Sequence, residues 1–320
     1  MLYPFLFEPT YHYRIWGGNR LKDFNKNITE KNIGESWEIS TVPDFVSVIV
    51  DGALKGKNLD ELVSEYREKL VGTKVYERYG DKFPLLIKFI DAAKPLSVQV
   101  HPNDEYARKH HNSFGKTEMW YILDTDEEAE IIIGFEKDAD KSLYSKSLAT
   151  GTIETILRKI HPEKGDVFYI PAGRVHAIGK GITLAEIQQT SDITYRIYDY
   201  NRIDKDGKPR RLHIQQAMEV VDFSFIAEPR SLYDKNSKQT VLIDSPFFKT
   251  SRFVVKNEVK LENNRDSFKI LIFTEGEGYV KTKTEKIAVK KGQSVLLPAS
   301  LEDVIIEPKK VATFLEVHID

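Results

Sequence analysis

Residues 164–173 have the sequence KGDVFYIPAG, in which a glycine turn leads into a short apolar strand that ends at a Pro-Ala turn. Residues 291–300, KGQSVLLPAS, repeat this order. The repetition predicts two related β-barrels in one chain, with Asp303 in the second copy opposite His176 in the first. We expect the boundary in the polar stretch 228–240, with domains at 1–230 and 231–320. Because the second copy lacks the histidine, we expect it to bind no metal.

Along the whole chain, most of the predicted secondary structure is β. Short segments rich in β-branched and aromatic residues, each bounded by turn residues, lie at 45–50, 85–90, 96–100, 119–123, 131–133, 167–170, 182–189 and 194–198. Their number and spacing are typical of a sandwich or barrel rather than of alternating strands and helices. Helical spacing occurs at 58–71, after the N-cap Asn58, and at 138–159, with a break at 150–152. We therefore predict a mainly β fold with a small helical part.

The composition limits the possible functions. The 320 residues include 41% hydrophobic and 30% charged residues, and 47 basic residues nearly balance 49 acidic ones. This balance favours neither nucleic acid nor an anionic membrane as a partner. We expect no signal peptide and no membrane span, and hence a cytoplasmic protein. The chain contains no cysteine, so a metal would have to be bound by His, Asp, Glu or amide oxygen.

The segment 96–102, LSVQVHP, alternates between two faces of a predicted strand. Val98 and Val100 point to one side, while Ser97, Gln99 and His101 point to the other. Two ligands two residues apart on one strand face can bind one metal ion. An edge strand with a solvated polar face explains the same alternation equally well.

Glu118 and His176 are the other candidate metal ligands. Taken singly, Glu118 is better explained as a surface carboxylate paired with Lys116, and His176 as a structural core histidine. With Gln99 and His101 they supply two imidazoles, a carboxylate and an amide oxygen. This set suits Zn²⁺, and Mn²⁺, Fe²⁺ or Co²⁺ almost as well, and leaves positions for water or substrate oxygens.

Several ordered motifs resemble the type I phosphomannose isomerases (mannose-6-phosphate isomerases), zinc enzymes of the cupin superfamily. The segments that match its metal-ligand segments are 97–102, 115–118 and 171–177. Residues 186–196 resemble the family's strand that ends in Ser-Asp-x-x-x-Arg, and 16–18 and 34–38 resemble its N-terminal segments. The similarity runs from about residue 3 to about 220. The chain lacks the large helical insertion of the longer members and has Thr194-Tyr195 before Arg196, so substrate preference follows less directly than the metal site.

The resemblance implies two cupin-type jelly-roll β-barrels and an aldose–ketose isomerase. The reaction would interconvert mannose 6-phosphate and fructose 6-phosphate through an enediol, with one Zn²⁺ per subunit. The matched metal ligands are Gln99, His101, Glu118 and His176. The residues that match substrate-facing positions are Lys116, Glu186 and Arg196.

Roles for these residues follow from the chemistry of the reaction. Glu186 shares a strand face with Ile182 and Leu184 and is the candidate proton carrier, with metal-bound water as the alternative. Arg196 and Lys116 offer positive charge for a phosphate or for the enediolate oxygens. Alternatively, Arg196 forms a buried ion pair with Asp192 or Asp199.

Aromatic residues and the remaining histidines complete the predicted site. Trp16 and Trp37 could line a sugar pocket, whereas Trp120 is expected in the core. We expect His110 and His111 to be solvated, since neighbouring residues on a strand point in opposite directions.

Two other functions are compatible with the fold. One is a cupin oxygenase that uses Fe²⁺, although the amide ligand argues against it. The other is a non-catalytic cupin that binds sugars. For the isomerase we expect a sugar phosphate as the only partner, and a monomer or weak homo-oligomer.

Overall fold

The computed structural model describes residues 2–320, and most of its regular structure is β. The strands, in chain order, are β1 (Phe5–Leu6), β2 (Thr10–Gly18), β3 (Ile33–Ile39), β4 (Leu85–Ala92), β5 (Val98–Val100), β6 (Glu118–Thr125), β7 (Ile131–Phe135), β8 (Leu157–Ile160), β9 (Val167–Ile170), β10 (His176–Ile178), β11 (Ile182–Gln189), β12 (Tyr195–Tyr198), β13 (Gln239–Asp244), β14 (Lys249–Val255), β15 (Val259–Leu261), β16 (Lys269–Glu275), β17 (Glu277–Lys281), β18 (Lys286–Lys290), β19 (Ser294–Leu297), β20 (Val304–Pro308) and β21 (Ala312–His318). The predicted mainly β fold is confirmed.

The helices are short. They are α1 (Leu59–Tyr66), α2 (Glu68–Val71), α3 (Thr73–Tyr79), α4 (Asp104–His111), α5 (Lys141–Ala149) and α6 (Ile214–Val220), with 3₁₀ turns at Arg20–Phe24 and Ile153–Ile156. None of the helices in residues 2–320 has the length and hydropathy needed to cross a membrane.

Two pairs of facing sheets form two jelly-roll sandwiches. In the first, the sheet β2-β3-β4-β11-β6-β9 faces the sheet β12-β5-β10-β7-β8. Their inner faces meet in one apolar cluster that includes Ile90, Trp120 and Ile133. In the second, β1-β19-β16-β21-β14-β13 faces β15-β20-β17-β18 around a cluster that includes Phe273 and Phe314. Both repeated segments are strands, β9 and β19, as predicted.

The two sandwiches share a further core between them. Along β4, Leu85, Ile87 and Phe89 point away from the first sandwich's interior and join a cluster with Ile270 and Leu315 of the second. Because side chains alternate along a strand, the intervening residue Lys88 points inward. One face of β4, β6 and β11 therefore anchors the second sandwich, and the other face points into the first sandwich.

Several sequence predictions differ from the structure. The strand predicted at 45–50 is wrong: this segment forms only single bridges, Phe7↔Ile49 and Val48↔Asn58, after a turn in which Asp44 adopts a φ of 68°. The helix predicted at 58–71 is divided into α1 and α2 at Arg67, where φ is 48°. A positive φ cannot continue a right-handed helix. Residues 157–159 of the predicted helical segment 138–159 belong to β8 instead.

Helix α4 was not predicted, although Asn103 caps it by accepting a hydrogen bond from the Tyr106 amide at 2.9 Å. His110 and His111 are exposed, as predicted, but they lie at the end of this helix rather than on a strand. His110 stacks on Tyr106 with ring centroids 4.1 Å apart, and His111 Nε2 lies 2.6 Å from the Tyr195 hydroxyl.

Candidate functional site

The four predicted metal ligands converge inside the first sandwich. Strands β5 and β10 pair so that Gln99 lies opposite His176, and His101 follows β5 directly. Glu118 begins β6 in the facing sheet. Its Oε2 lies 3.5 Å from His101 Nε2, its Oε1 lies 3.4 Å from His176 Nε2, and the Gln99 amide lies 3.3 Å from the same His176 nitrogen. Ligand atoms of the two histidines and the glutamate all lie within 4.8 Å of one another.

The outer nitrogens of both histidines bind backbone carbonyls. His101 Nδ1 donates to Ile193 O at 2.9 Å, and His176 Nδ1 donates to Arg174 O at 2.8 Å. A carbonyl only accepts, so each Nδ1 carries the proton and each Nε2 directs a lone pair toward Glu118. Burial, with the nearby Lys116 charge, holds the pKa of His101 well below its ordinary value. Burial also lowers the pKa of His176 to about 4. Both rings are therefore neutral and able to bind a metal.

The environment of the Glu118 carboxylate is the strongest indication of a bound cation. Its side chain is fully buried, and neither carboxylate oxygen has a hydrogen-bond partner among residues 2–320. Burial and the charge of Glu186 raise the pKa of Glu118 to about 8, against the opposing effect of Lys116 and Lys88. A buried carboxylate that accepts no hydrogen bond is costly, even with Lys116 Nζ 3.5 Å away. A divalent cation between this carboxylate and the two imidazole lone pairs would remove that cost, so the donor set fits a metal.

Beside these ligands, Glu186 and Lys88 form a buried ion pair across β11 and β4. Lys88 Nζ lies 3.0 Å from Glu186 Oε1 and donates to Gln188 Oε1 at 2.7 Å, while Trp120 Nε1 donates to Glu186 Oε2 at 3.1 Å. Burial alone would raise the pKa of Glu186, but the charges of Lys88 and Lys116 outweigh it and hold this pKa below its ordinary value. Burial would likewise lower the pKa of Lys88, but the charges of Glu186 and Glu35 raise it. Both groups of the pair are therefore charged.

A cavity of about 600 Å³ opens onto this pair. Five of the predicted site residues line it: Trp16, Gln99, Lys116, Glu186 and Arg196. His101, Glu118 and His176 lie beneath that lining, in contact with Lys116 and Gln99. Lys116 Nζ is 3.1 Å from His101 Nε2 and 3.5 Å from Glu118 Oε2. The structure thus brings the predicted residues together around one cavity.

Arg196 makes no ion pair among residues 2–320, so the predicted alternative of a pair with Asp192 or Asp199 is wrong. Its Nη1 donates to Arg211 O at 2.9 Å, and its buried Nε has no partner in the same range. Asp199 instead binds Arg202 and Arg210. Burial, followed by the charge of Arg210, lowers the pKa of Arg196. The guanidinium is therefore available to an anion in the cavity.

Aromatic residues form one wall of the cavity. Trp37 packs against His12 and Phe45, with ring-centroid distances of 4.2 and 5.4 Å. Its Nε1 donates to Glu35 Oε2 at 2.7 Å, and Glu35 is also bound by Arg14 at 2.8 and 3.0 Å. This wall offers flat apolar surface held in place by hydrogen bonds, which suits a sugar ring.

Some lining residues were missed from the sequence. Lys88 was identifiable, because it is the one charge in the apolar run 85–90 and lies across from Glu186 in the register of β4 and β11. Trp120 lies in the core, as predicted, but it also binds Glu186. Lys205 and Arg210 come from a polar loop in which no periodicity marks them.

Comparison with known proteins agrees with this arrangement. Residues 5–143 match a family model described as phosphomannose isomerase type I, catalytic domain, and residues 237–314 match one described as mannose-6-phosphate isomerase, cupin domain. A mannose-6-phosphate isomerase of Streptococcus mutans is 40% identical over 94% of both chains. The mannose-6-phosphate isomerase ManA of Bacillus subtilis is 39% identical over 95% of this chain and 96% of its own.

Solved structures show the same fold. A crystal structure of the mannose 6-phosphate isomerase from Bacillus subtilis superposes with a TM-score of 0.87, at 34% identity over 99% of each chain. A putative mannosephosphate isomerase from Archaeoglobus fulgidus gives a TM-score of 0.81 over 98% of this chain and 96% of its own. The latter is 22% identical and shows similarity of fold.

Proposed function

The chain belongs to the type I phosphomannose isomerase family and is an aldose–ketose isomerase, and on that premise we propose that it converts mannose 6-phosphate to fructose 6-phosphate with a zinc ion bound by Gln99, His101, Glu118 and His176. The observation that carries the metal proposal is the buried Glu118 carboxylate, whose oxygens accept no hydrogen bond from residues 2–320 and face two neutral imidazoles. Mn²⁺, Co²⁺ and Fe²⁺ suit the same donors and are the competing ions.

We assign proton transfer through an enediol to the Glu186–Lys88 pair. When bound, the metal supplies Lewis acidity that stabilises negative charge on the substrate's oxygens. Glu186 is ionised beside Lys88 and can accept a proton from one carbon and return it to the next. Lys88 keeps this carboxylate ionised in a buried setting and lines the cavity itself. Water remains the alternative proton carrier.

The other lining residues bind the substrate. Arg196 and Lys116 present positive charge to the cavity, and Trp16 borders it with an apolar face. Lys116 lies within 3.5 Å of two metal-binding groups, which supports contact with substrate oxygens bound near the metal. Arg196 has free donors for an anionic group.

We further propose that residues 1–230 form the catalytic domain and 231–320 a cupin-like domain without metal, with β1 of the first segment completing a sheet of the second domain. The interior of the second sandwich is filled by apolar side chains such as Phe273 and Phe314. Asp303, the counterpart of His176 in the repeat, instead pairs with Lys283 at 3.1 Å near the surface. We propose a monomer or weak homo-oligomer in the cytoplasm, where phosphorylated sugars are retained by their charge.

The sequence-based alternatives have less support. The relatives that match nearly the whole chain are named isomerases, which favours neither an iron oxygenase nor a non-catalytic sugar-binding protein. Dependence on oxygen would still distinguish the oxygenase in the same assay.

The decisive experiment combines metal analysis of the purified protein with a coupled assay on mannose 6-phosphate. We expect one zinc per chain, loss of turnover with a chelator and recovery on adding zinc. His176→Ala should abolish metal binding, while His110→Ala, which removes an exposed histidine, should not. Full isomerase activity in metal-free protein would overturn the proposal.

A further inference from the structure

Strand β3 forms part of the cavity wall and contains a bulge next to it. Glu35 and Trp37 line the cavity, whereas Ile39 joins the core between the two sandwiches. In the pairing with β4, Trp37 and Ile39 lie opposite consecutive residues, so Glu38 is an extra residue in β3. A β-bulge changes the direction of the side chains beside it. The position of Trp37 therefore depends on what holds Glu38.

Glu38 does not line the cavity, and its carboxylate pairs with a buried lysine. Its Oε2 lies 2.6 Å from Lys26 Nζ, its Oε1 accepts from the Ser36 hydroxyl, and the side chains of the ion pair are each 3% exposed. Burial lowers the pKa of Lys26 and raises the pKa of Glu38, in each case against the charge of the partner. Removing either group alone would leave the other as an uncompensated buried charge.

The same lysine reaches the second sandwich. Lys26 Nζ donates to Gly292 O in the turn between β18 and β19, and the Gly292 amide donates to Phe273 O at 2.7 Å. Phe273 belongs to the core of the second sandwich. The chain segments are in close contact here, because a Cβ atom at position 292 would lie 1.9 Å from Phe24 O. We refer to the contacts of Lys26 with Glu38 and Gly292 as the Lys26 bridge.

Trp37 connects this bridge to the cavity. Its ring centroid lies 5.1 Å from Lys88 Nζ, which pairs with Glu186. The proposed metal ligands lie on or directly after other strands, namely β5, β6 and β10. A shift of the bulge would therefore move the flat surface that faces the cavity while the metal ligands stay in place.

We propose that Lys26 and Glu38 are positioning residues for the reaction: the Lys26 bridge fixes the bulge of β3 against the second sandwich and so holds Trp37 where the sugar packs. The inference rests on the proposed function for the identity of the ligand. It gives the second sandwich a part in substrate binding, although residues 231–320 do not line the cavity. Neither Lys26 nor Glu38 needs to touch the substrate, since both act through Trp37.

The test separates the bridge from the charge of the ion pair. In Glu38→Gln, Lys26 can still donate to Gly292 O and to the new amide oxygen, so the bridge remains. In the double variant Lys26→Met/Glu38→Gln, both charges and the bridge are removed. We expect KM for mannose 6-phosphate to rise about threefold or more in the double variant, the size of one aromatic contact, with kcat and metal content within about twofold of the wild type. Glu38→Gln alone should leave KM unchanged.

Hydrogen exchange of backbone amides, measured by mass spectrometry, is a second readout that needs no turnover. Exchange in peptides from β3 should be faster in the double variant than in Glu38→Gln. The matched control is Lys269→Met/Glu316→Gln, which removes another buried lysine–glutamate pair, 2.8 Å apart, within the second sandwich. The control should have a lower free energy of unfolding, with KM and exchange in β3 unchanged.

An equal rise in KM in the control or in Glu38→Gln would show a general effect of stability and overturn the positioning role. Faster exchange in β3 of the double variant, in a protein without isomerase activity, would refute the proposed reaction and support the bridge. An active isomerase whose double variant keeps the KM and the β3 exchange of the wild type would refute the bridge alone.

Discussion

Glu186→Gln tests the proton carrier most directly, because it removes one charge and keeps the shape of the side chain. In the folded protein, Lys88 Nζ loses the carboxylate at 3.0 Å but keeps the Gln188 oxygen at 2.7 Å. Trp120 Nε1 can still donate to the new amide oxygen. The substitution therefore changes charge and proton affinity without opening a cavity.

The expected magnitudes follow from this geometry. Breaking a buried ion pair by removing one partner costs about 3–5 kcal/mol. Because Lys88 retains Gln188 and the nearby charge of Glu35, we expect the free energy of unfolding to fall by about 3 kcal/mol, at the lower end of that range. Loss of a general base lowers kcat by about 10²–10⁴. The metal content should not change, because Glu186 is not among the proposed ligands.

The assay measures kcat on mannose 6-phosphate, metal content, and urea unfolding. Glu316→Gln is the matched control: Glu316 is a buried carboxylate 2.8 Å from Lys269 in the second sandwich, away from the cavity. The Glu316→Gln variant should have a lower free energy of unfolding and an unchanged kcat. A Glu186→Gln enzyme with kcat within about twofold of the wild type would refute the assignment, since a general base contributes far more than that.

Two further predictions concern pH and metal affinity. Burial, with the charge of Arg14, lowers the pKa of His12 from 6.5 to about 4. As the pH falls from 6.5 toward 4, His12 takes up a proton in the unfolded chain but not in the folded protein, so the free energy of unfolding decreases over this range. Urea unfolding should show a loss of up to about 3 kcal/mol over this range, and His12→Phe should flatten it; an unchanged slope would contradict the argument. Arg174 Nη2 donates to Asp222 at 2.9 Å and so helps to hold the Arg174 backbone carbonyl that accepts from His176 Nδ1. Arg174→Lys keeps that carbonyl but disturbs its support, so it should weaken metal binding by about tenfold, at the lower end of the effect of losing an orienting group, in a competition with a chelator. Arg230→Lys, on the comparable ion pair with Asp166, should leave metal affinity unchanged, and equal losses in both variants would show a general effect on stability.

The residues of the candidate metal site differ in how far the sequence alone pointed to them. Alternation alone placed Gln99 and His101 on one face, because a strand has a fixed period. Glu118 and His176 depended on the resemblance, since nothing local distinguishes a metal ligand from a surface carboxylate or a core histidine. The ligands converge only because β5 pairs with β10 and β6 lies in the sheet that faces them. These are contacts between distant parts of the chain.

Other features depended on competing local interactions. Residues 45–50 have strand composition, yet the Ser47 amide donates to Ser40 O and the Leu59 amide donates to Ser47 O, so loop bonds replace a ladder. β-propensity reflects fit to a partly buried surface, and this segment has no continuous neighbour. The loop 199–211 has no apolar period to detect, and Arg210 is placed by Asp199, a polar contact within that loop.

The pairing of β1 with β19 affects how the protein is made. Phe5 pairs with Leu296, and Leu6 pairs with Val295. During synthesis, β1 therefore has no neighbour in its sheet until about 290 further residues have been added. Until then Phe5, which is fully buried in the finished protein, has no place in its sheet. Contacts between such distant residues form late and slow the folding reaction. A nascent chain that stops before residue 290 therefore exposes the face of the first sandwich that the second will cover, which makes truncated products prone to aggregation.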